Sequence, residues 1–396
     1  MSHVGVILGI SDLEVQRVDR HRSIEVYAKP TRRQACIHCG YDRLRIKETC
    51  QRRVKHTKQG PRVLFLNLSV PKYHCPKCNR YFRHRFRVIR PRFRASELFK
   101  LEVFEAHDGG VSQRKLSRTH GLACATVERW YQAQIKQRRS EMSNRPCPRV
   151  LGIDEHFFTK KKGYATTFVD LKNRKVFDVK LGRSEPSLRS FLRRLPGKEN
   201  TQIVVMDLSE TYRSIARRYF PNATIVADRF HVVRLVNEHF LRAWQKQDPE
   251  GRKNRGLLSL MRRHRWNLTN DQRSNLGQYL KDYPVLKALY DVKHQLMQLL
   301  ILKGIQREAA RYRLKYFLEL LDQLDASPLH RLSKTLRSWM QPIVAMWRFT
   351  RSNGITEGFH TKMEMMTRRA YGFRNFENYR TRVLTHCGWN GVYNRT

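Results

Sequence analysis

Apolar and polar positions along this 396-residue chain change their period several times, and each change marks a candidate boundary. Residues 1–95 hold short runs that alternate or carry β-branched residues, RSIEVYAKP, RRVKHTKQG and RVLFLNLSV, and these predict strands. The turns CIHCGY and CPKCNR separate them. Residues 96–140 carry helical periodicity, and a basic, proline-flanked link, SNRPCPRV, follows. From residue 149 to about 230 the runs read strand, strand, strand, helix, strand, helix, strand. Residues 232–340 are helical and rich in Arg, Lys and Leu, as in LLILKGIQREAARYRLKYFLELLDQL. Helix returns in 341–396, around SNGITEGFHTKMEMMTRRAYG.

Charge narrows the choice of partner. Lys and Arg number 79 against 34 Asp and Glu, a formal excess of +45 spread along the whole chain. Self-repulsion on this scale weakens a compact protein, so a polyanionic partner is expected, and double-stranded DNA fits best. No apolar run approaches the ~20 residues that span a bilayer. The stretch MSHVGVILGISDLEVQRVDR lacks the basic-then-apolar layout of a signal peptide. The expectation is a cytoplasmic, nucleoid-associated protein with no membrane partner.

Four of the eight cysteines form two pairs, Cys36-x-x-Cys39 and Cys75-x-x-Cys78. Two such turns complete a four-thiolate tetrahedral zinc site of the ribbon type, and a closed site of this kind is structural. His38, Cys50 and His74 are rival ligands. Arg52 and Arg53, among other basic residues between the knuckles, are candidate DNA contacts. Further on, VSQRKLSRTHGLACATVERWYQ spaces Ser117, Gly121, Val127 and Trp130 as a helix-turn-helix requires. The second helix, expected over 123–136, would place Ala125, Thr126, Glu128 and Arg129 near base edges.

The strand RVLGID ends on Asp154, IVVMD on Asp207 and TIVAD on Asp228. The order β-β-β-α-β-α-β is that of the ribonuclease-H-like fold, in which the first and fourth strands are neighbours. Asp154 and Asp207 would then face each other, and two like charges so placed call for divalent cations between them. Asp228 either joins them or caps the next helix. A third carboxylate should come from a later helix. Of Glu238, Glu319, Glu357 and Glu364, Glu357 is preferred, because Ser352-Asn353-Gly354 offers a helix cap and the helix is polar and basic. Glu364 is the fallback. Lys362 and Arg369 would reach backbone phosphates. His156 is a weak candidate for a general base, and no GxxxxGK[ST] loop suggests ATP use.

The paired knuckles, the helix-turn-helix, GIDE, VVMDLSETYRSIARRYFPNATIVADRFHVV and SNGITEGFHTKMEMMTRRAYGFRNFENYRTRV together resemble the ISL-three group of bacterial insertion-sequence transposases, over essentially the whole chain. The resemblance implies a DDE transposase with Asp154, Asp207 and Glu357 as the acids holding Mg2+ or Mn2+. It implies an α+β multidomain chain. A zinc-binding β domain (1–95) and a helix-turn-helix (96–145) would precede a ribonuclease-H-like catalytic domain (146–231). That domain would be interrupted by an all-helical insertion (232–340) and completed by C-terminal helices bearing the glutamate (341–396). His360 departs from the amide residue common after TEGF. The expected partners are terminal inverted repeats, target DNA and a second copy of the chain, in a dimer or larger assembly. Trp266 is expected in the helical core and not stacked on a flipped base. The rival reading is a DNA-binding regulator with an inactive nuclease fold.

Overall fold

The computed structural model describes residues 8–142, 144–302, 304–324, 326–349 and 354–389, so the cap expected at Ser352 and Asn353 lies outside the described residues. Contacts divide the chain into two units that meet in sequence between Arg138 and Arg139. No helix among the described residues is long and apolar enough to cross a membrane.

The first unit opens with a five-stranded sheet: β1 (Leu13–Arg20), β2 (Ile24–Pro30), β3 (Arg45–Gln59), β4 (Arg62–Cys75) and β5 (Arg80–Arg83). Its order is β1-β2-β4-β3, with β5 on the far end of β4. Two of the strands expected to be short are long, because β3 and β4 form one antiparallel hairpin of 15 and 14 residues. Leu64, Leu66, Leu68 and Val70 alternate along β4 and are buried with Val26, Ala28 and Val54. This period of two fixes the register, since a one-residue slip would turn all four outward.

Three helices complete this unit: α1 (Glu97–Asp108), α2 (Gln113–His120) and α3 (Cys124–Met142). Ser96 and Ser112 cap the first two through their side chains. Gly121 ends α2 at φ 57°, ψ 51°, the left-handed conformation that glycine reaches without a Cβ clash. Val127 and Trp130 then seat α3 against Phe99, Val103 and Leu116.

In the second unit a sheet of β6 (Val150–Thr159), β7 (Gly163–Asp170), β8 (Lys175–Leu181), β9 (Ile203–Met206) and β10 (Thr224–Ala227) has the order β10-β9-β6-β7-β8. β6, β9 and β10 are parallel, and β7 and β8 continue antiparallel. Helices α4 (Glu185–Arg193) and α5 (Glu210–Tyr219) alternate with the strands. Strand β6 does not end at Asp154 as expected. Its parallel partner β9 stops at Met206, but the β6–β7 ladder continues to Thr159.

Helix α6 (Arg229–Gln247) starts directly after Asp228 and leads into α7 (Pro249–Lys253), α8 (Arg255–Arg262), α9 (Asn270–Lys281), α10 (Pro284–Ile301), α11 (Arg307–Gln323), α12 (Ser327–Ser338) and α13 (Met340–Arg348). One hydrophobic core runs from the sheet through these helices, including Trp244, Leu286, Leu314 and Trp339. Trp266 is not part of it. It sits in a 3₁₀ turn after α8, is 49% exposed, and stacks on His264 at 4.6 Å.

The chain then returns to the sheet through α14 (Gly354–Arg369), α15 (Phe376–Val383) and a π-helical turn, Leu384–Gly388. A Cβ on Gly388 would come within 2.5 Å of Val176 O, so the close approach of this turn to β8 requires glycine. Arg380 of α15 makes a two-pronged contact with Asp178 of β8, Nε to Oδ1 at 2.7 Å and Nη2 to Oδ2 at 2.9 Å. Both side chains are nearly buried, at 13% and 11% exposure. Lys180 stays 3.5 Å from Asp178 when Arg380 is removed, but the two-pronged contact is lost, so Arg380→Met should cost about 1–3 kcal/mol. Tryptophan fluorescence during urea unfolding reads this, since five of the six tryptophans lie in the second unit.

Candidate functional site

The carboxylates are placed by strand register. Ile153 of β6 pairs with Met206 of β9, and Met206 pairs with Ala227 of β10. Each of these residues is followed by an aspartate, so Asp207 and Asp228 directly follow β9 and β10, and Asp154 lies within the neighbouring β6 at the same level of the sheet. Asp154 is 5% exposed and Asp228 is 1% exposed. Asp228 accepts the Phe230 N–H at 3.3 Å and so caps α6.

Burial and mutual repulsion resist ionisation here. Burial first, then the charges of Asp207 and Asp228, push Asp154 up to about 7, against a hydrogen bond from the Glu155 N–H at 2.8 Å. Burial and then Glu155 raise Asp207 to about 6. Asp207 Oδ1 is buried and has no hydrogen-bond partner among the described residues. Oxygen donors in this state suit a hard divalent cation, which would offset both the desolvation and the repulsion.

Helix α14 packs over β6, with His360 Nδ1 3.9 Å from Asp154 Oδ2. Glu357 lies three residues before His360 in the same helix, and such residues are surface neighbours. Glu364 points elsewhere: it is exposed and paired with Arg368 at 2.6 Å. Beyond Asp154 lie side chains that the sequence reading missed. Thr167 is directly opposite Asp154 in the β6–β7 register, and its hydroxyl lies between His156 and His360. Tyr379 reaches His156 from α15. The sequence signals for this group are His156, two residues after Asp154 and so on the same face of the strand, and His360, the departure after TEGF. Burial, and then His360, holds His156 down at about 3, and burial holds His360 down at about 4.

The four paired cysteines converge. Cys36, Cys39, Cys75 and Cys78 place their sulfurs within 4.8 Å of one another. Cys36 lies 3.6 Å from Cys78, and Cys39 3.6 Å from Cys75. Zinc–thiolate bonds of about 2.3 Å in a tetrahedron put sulfurs about 3.8 Å apart, so the spacing fits the ion. All four are free thiols. Gly40 and Asn79, both at positive φ, close the two turns. The rival ligands are engaged elsewhere: His38 with Arg80, His74 with Asn79, and Cys50 with the Val70 carbonyl. Burial, then the Cys75 thiol, raises the Cys78 thiol to about 12. Cys36 resists the same burial and falls to about 7, held by the backbone N–H groups of His38 and Cys39. Among the described residues no other group of three or more His, Cys, Asp or Glu side chains is gathered this closely, so the carboxylates stand further apart than the thiols.

The candidate DNA contacts differ in what holds them. Arg129 is exposed and Thr126 half-buried on α3. Glu128 instead accepts from Gln113 and from Gln132, which makes it a strut between α2 and α3. Arg52 donates to the Arg90 and Phe93 carbonyls. Arg53 pairs with Glu25 at 2.6 Å and covers the Phe65 ring at 3.5 Å. Lys362 and Arg369 are exposed on α14.

Residues 151–383 match a family model described as a transposase, of the DDE ISL3 type. The transposase for insertion sequence element IS1001 of Bordetella parapertussis is 25% identical over 375 residues, covering 91% of each chain. The transposase for insertion sequence element IS1557 of Mycobacterium tuberculosis (strain H37Rv) is 26% identical over an alignment of 297 residues, with 65% of this chain and 63% of that protein covered.

Proposed function

Since the chain belongs to the ISL3 family of DDE transposases, we propose that it cuts the ends of an insertion sequence and joins them to target DNA. Asp154, Asp207 and Glu357 are the catalytic acids of a ribonuclease-H-like domain, and residues 232–340 are its helical insertion. The observation that carries this reading is the register that sets Asp154 beside Asp207, on neighbouring buried strands. Their carboxylates, with Glu357, would hold Mg2+ or Mn2+, which when bound polarises a phosphodiester and eases deprotonation of water or a 3′-hydroxyl. The protein's own part is to fix the acids on a rigid sheet and to hold the scissile bond in line for attack.

In the first step water adds to phosphorus and the 3′-oxygen of the element leaves. In the second that 3′-hydroxyl attacks a target phosphodiester and displaces another 3′-oxygen. One ester bond breaks for each that forms, so joining needs no ATP. The zinc ribbon and helix-turn-helix bind the terminal inverted repeats, with Thr126 and Arg129 towards base edges. The insertion, with Lys362 and Arg369, holds flanking or target phosphates. A cytoplasmic protein acting at the nucleoid, as a dimer or larger, brings two ends together.

The test is a supercoiled plasmid carrying the DNA that flanks this coding region, incubated with Mg2+ or chelator. Metal-dependent breaks mapping to the element boundaries are expected, and Asp207→Asn should abolish them. Specific binding without breaks by either protein would instead identify a regulator.

A further inference from the structure

Four side chains beside Asp154 form a continuous chain of polar contacts. Tyr379 Oη lies 2.7 Å from His156 Nε2, and His156 Nδ1 lies 2.9 Å from Thr167 Oγ1. Thr167 Oγ1 lies 3.1 Å from His360 Nε2, and His360 Nδ1 faces Asp154 Oδ2 at 3.9 Å. Counting protons settles the direction of each link. Tyr379 is 1% exposed, and among the described residues its hydroxyl meets no acceptor besides His156 Nε2. A buried hydroxyl hydrogen without an acceptor is costly, so Tyr379 donates.

The rest follows from the inventory of each side chain. His156 Nε2 then carries no proton, and a neutral ring must carry its proton on Nδ1. That proton goes to Thr167 Oγ1, which leaves the single hydroxyl proton of Thr167 for His360 Nε2. His360 must in turn carry its proton on Nδ1, the atom facing Asp154. All the donors point the same way, from Tyr379 towards the carboxylate. The middle link is set in the sheet itself, because Thr167 and Asp154 are cross-strand partners.

We propose that this relay makes His360 a positioning residue for Asp154, its Nδ1–H closing on Oδ2 to hold the carboxylate in one orientation. The inference rests on Asp154 being a catalytic acid. Oδ1 accepts the Glu155 N–H, so a donor closing on Oδ2 would hold both oxygens in place. Contacts of this kind are often long before substrate binds and shorten in the complex.

The wild-type protein provides the first test. In full-length, metal-free protein labelled with 15N-histidine, His156 and His360 should both appear as Nδ1–H tautomers, assigned through His156→Gln and His360→Gln. An Nε2–H tautomer at either ring overturns the relay. The second test is the near-isosteric Thr167→Val, which removes both central links. Mn2+ binding followed by electron paramagnetic resonance should weaken about tenfold, with DNA affinity unchanged. Thr167→Ser should restore Mn2+ binding to within about twofold of wild type. Equal Mn2+ affinity in wild type and Thr167→Val would sink the proposal. Normal DNA cleavage by Asp154→Asn would overturn the catalytic reading beneath it, a failure distinguishable because the wild-type tautomers would stand as measured.

Discussion

Asp154→Asn should lower DNA cleavage on the order of 10³-fold or more and yet raise the stability of the metal-free protein at pH 8. The two effects share one cause. Asp154 is 5% exposed, and burial with the neighbouring acids lifts it from an ordinary 3.8 to about 7. At pH 8 the folded protein must hold that charge in a site that resists it. Three pKa units correspond to about 4 kcal/mol at most. Asparagine removes the charge and can keep the hydrogen bond from Glu155, but it brings a buried amide of its own. A net gain of about 1–2 kcal/mol is expected, or several degrees in Tm.

The sign of the pH dependence tests the cause. A carboxyl with a raised folded pKa stabilises the fold below its unfolded value near 4, and that contribution is lost as pH rises through about 7. The advantage of asparagine should therefore be largest at pH 8 and shrink towards pH 5. Calorimetry in chelator at the two pH values reads it. Added Mg2+ should raise the Tm of wild type and leave that of the variant nearly unchanged. A variant less stable than wild type at pH 8 would mean that Asp154 carries no electrostatic penalty.

What could be read from the sequence was local. The CxxC knuckles announce themselves because each is a turn of four residues, and the pairing of two knuckles needs no knowledge of the sheet. Asp207 and Asp228 stand where apolar runs stop, and the order of elements implies which strands are neighbours. Asp154 was misjudged as a strand end. The residues after it, EHFFT, are extended only because β7 pairs with them, and the chain that forms β7 comes later. The same limit hid Thr167 and Tyr379, whose relevance lies in which rings they reach across the fold. Arg52 and Arg53 look like phosphate contacts by charge alone. Their carbonyl and Glu25 partners lie 28 to 41 residues away in sequence, where no local pattern reveals them.

Cys75→Ser should unfold part of the first unit while leaving the second intact. Among the described residues the fully buried apolar cluster around the thiols contains Leu44, Tyr73 and Phe82 besides Cys36 and Cys75, with Ile37 and Tyr41 half-buried against it. Three side chains of this size contribute about 1.5–3 kcal/mol each, too little to order the two knuckle loops and the short strand β5 that follows the second. Zinc bound by four thiolates supplies an apparent 10–16 kcal/mol, which in such a small cluster is folding free energy. Without it, amides in residues 36–44 and 72–83 should exchange with solvent at least 100-fold faster. The hairpin core of Leu64, Leu66 and Leu68 should keep its protection, because it packs on Val26 and Val54 without help from the metal. Sequence-specific binding to element ends should fall by about two orders of magnitude, whereas the salt-sensitive, non-specific component should persist with the +45 charge that drives it. Hydrogen exchange and end-binding titrations at fixed salt measure the two halves. Unchanged exchange in the knuckles after loss of the metal would show that the cysteines are not what folds them.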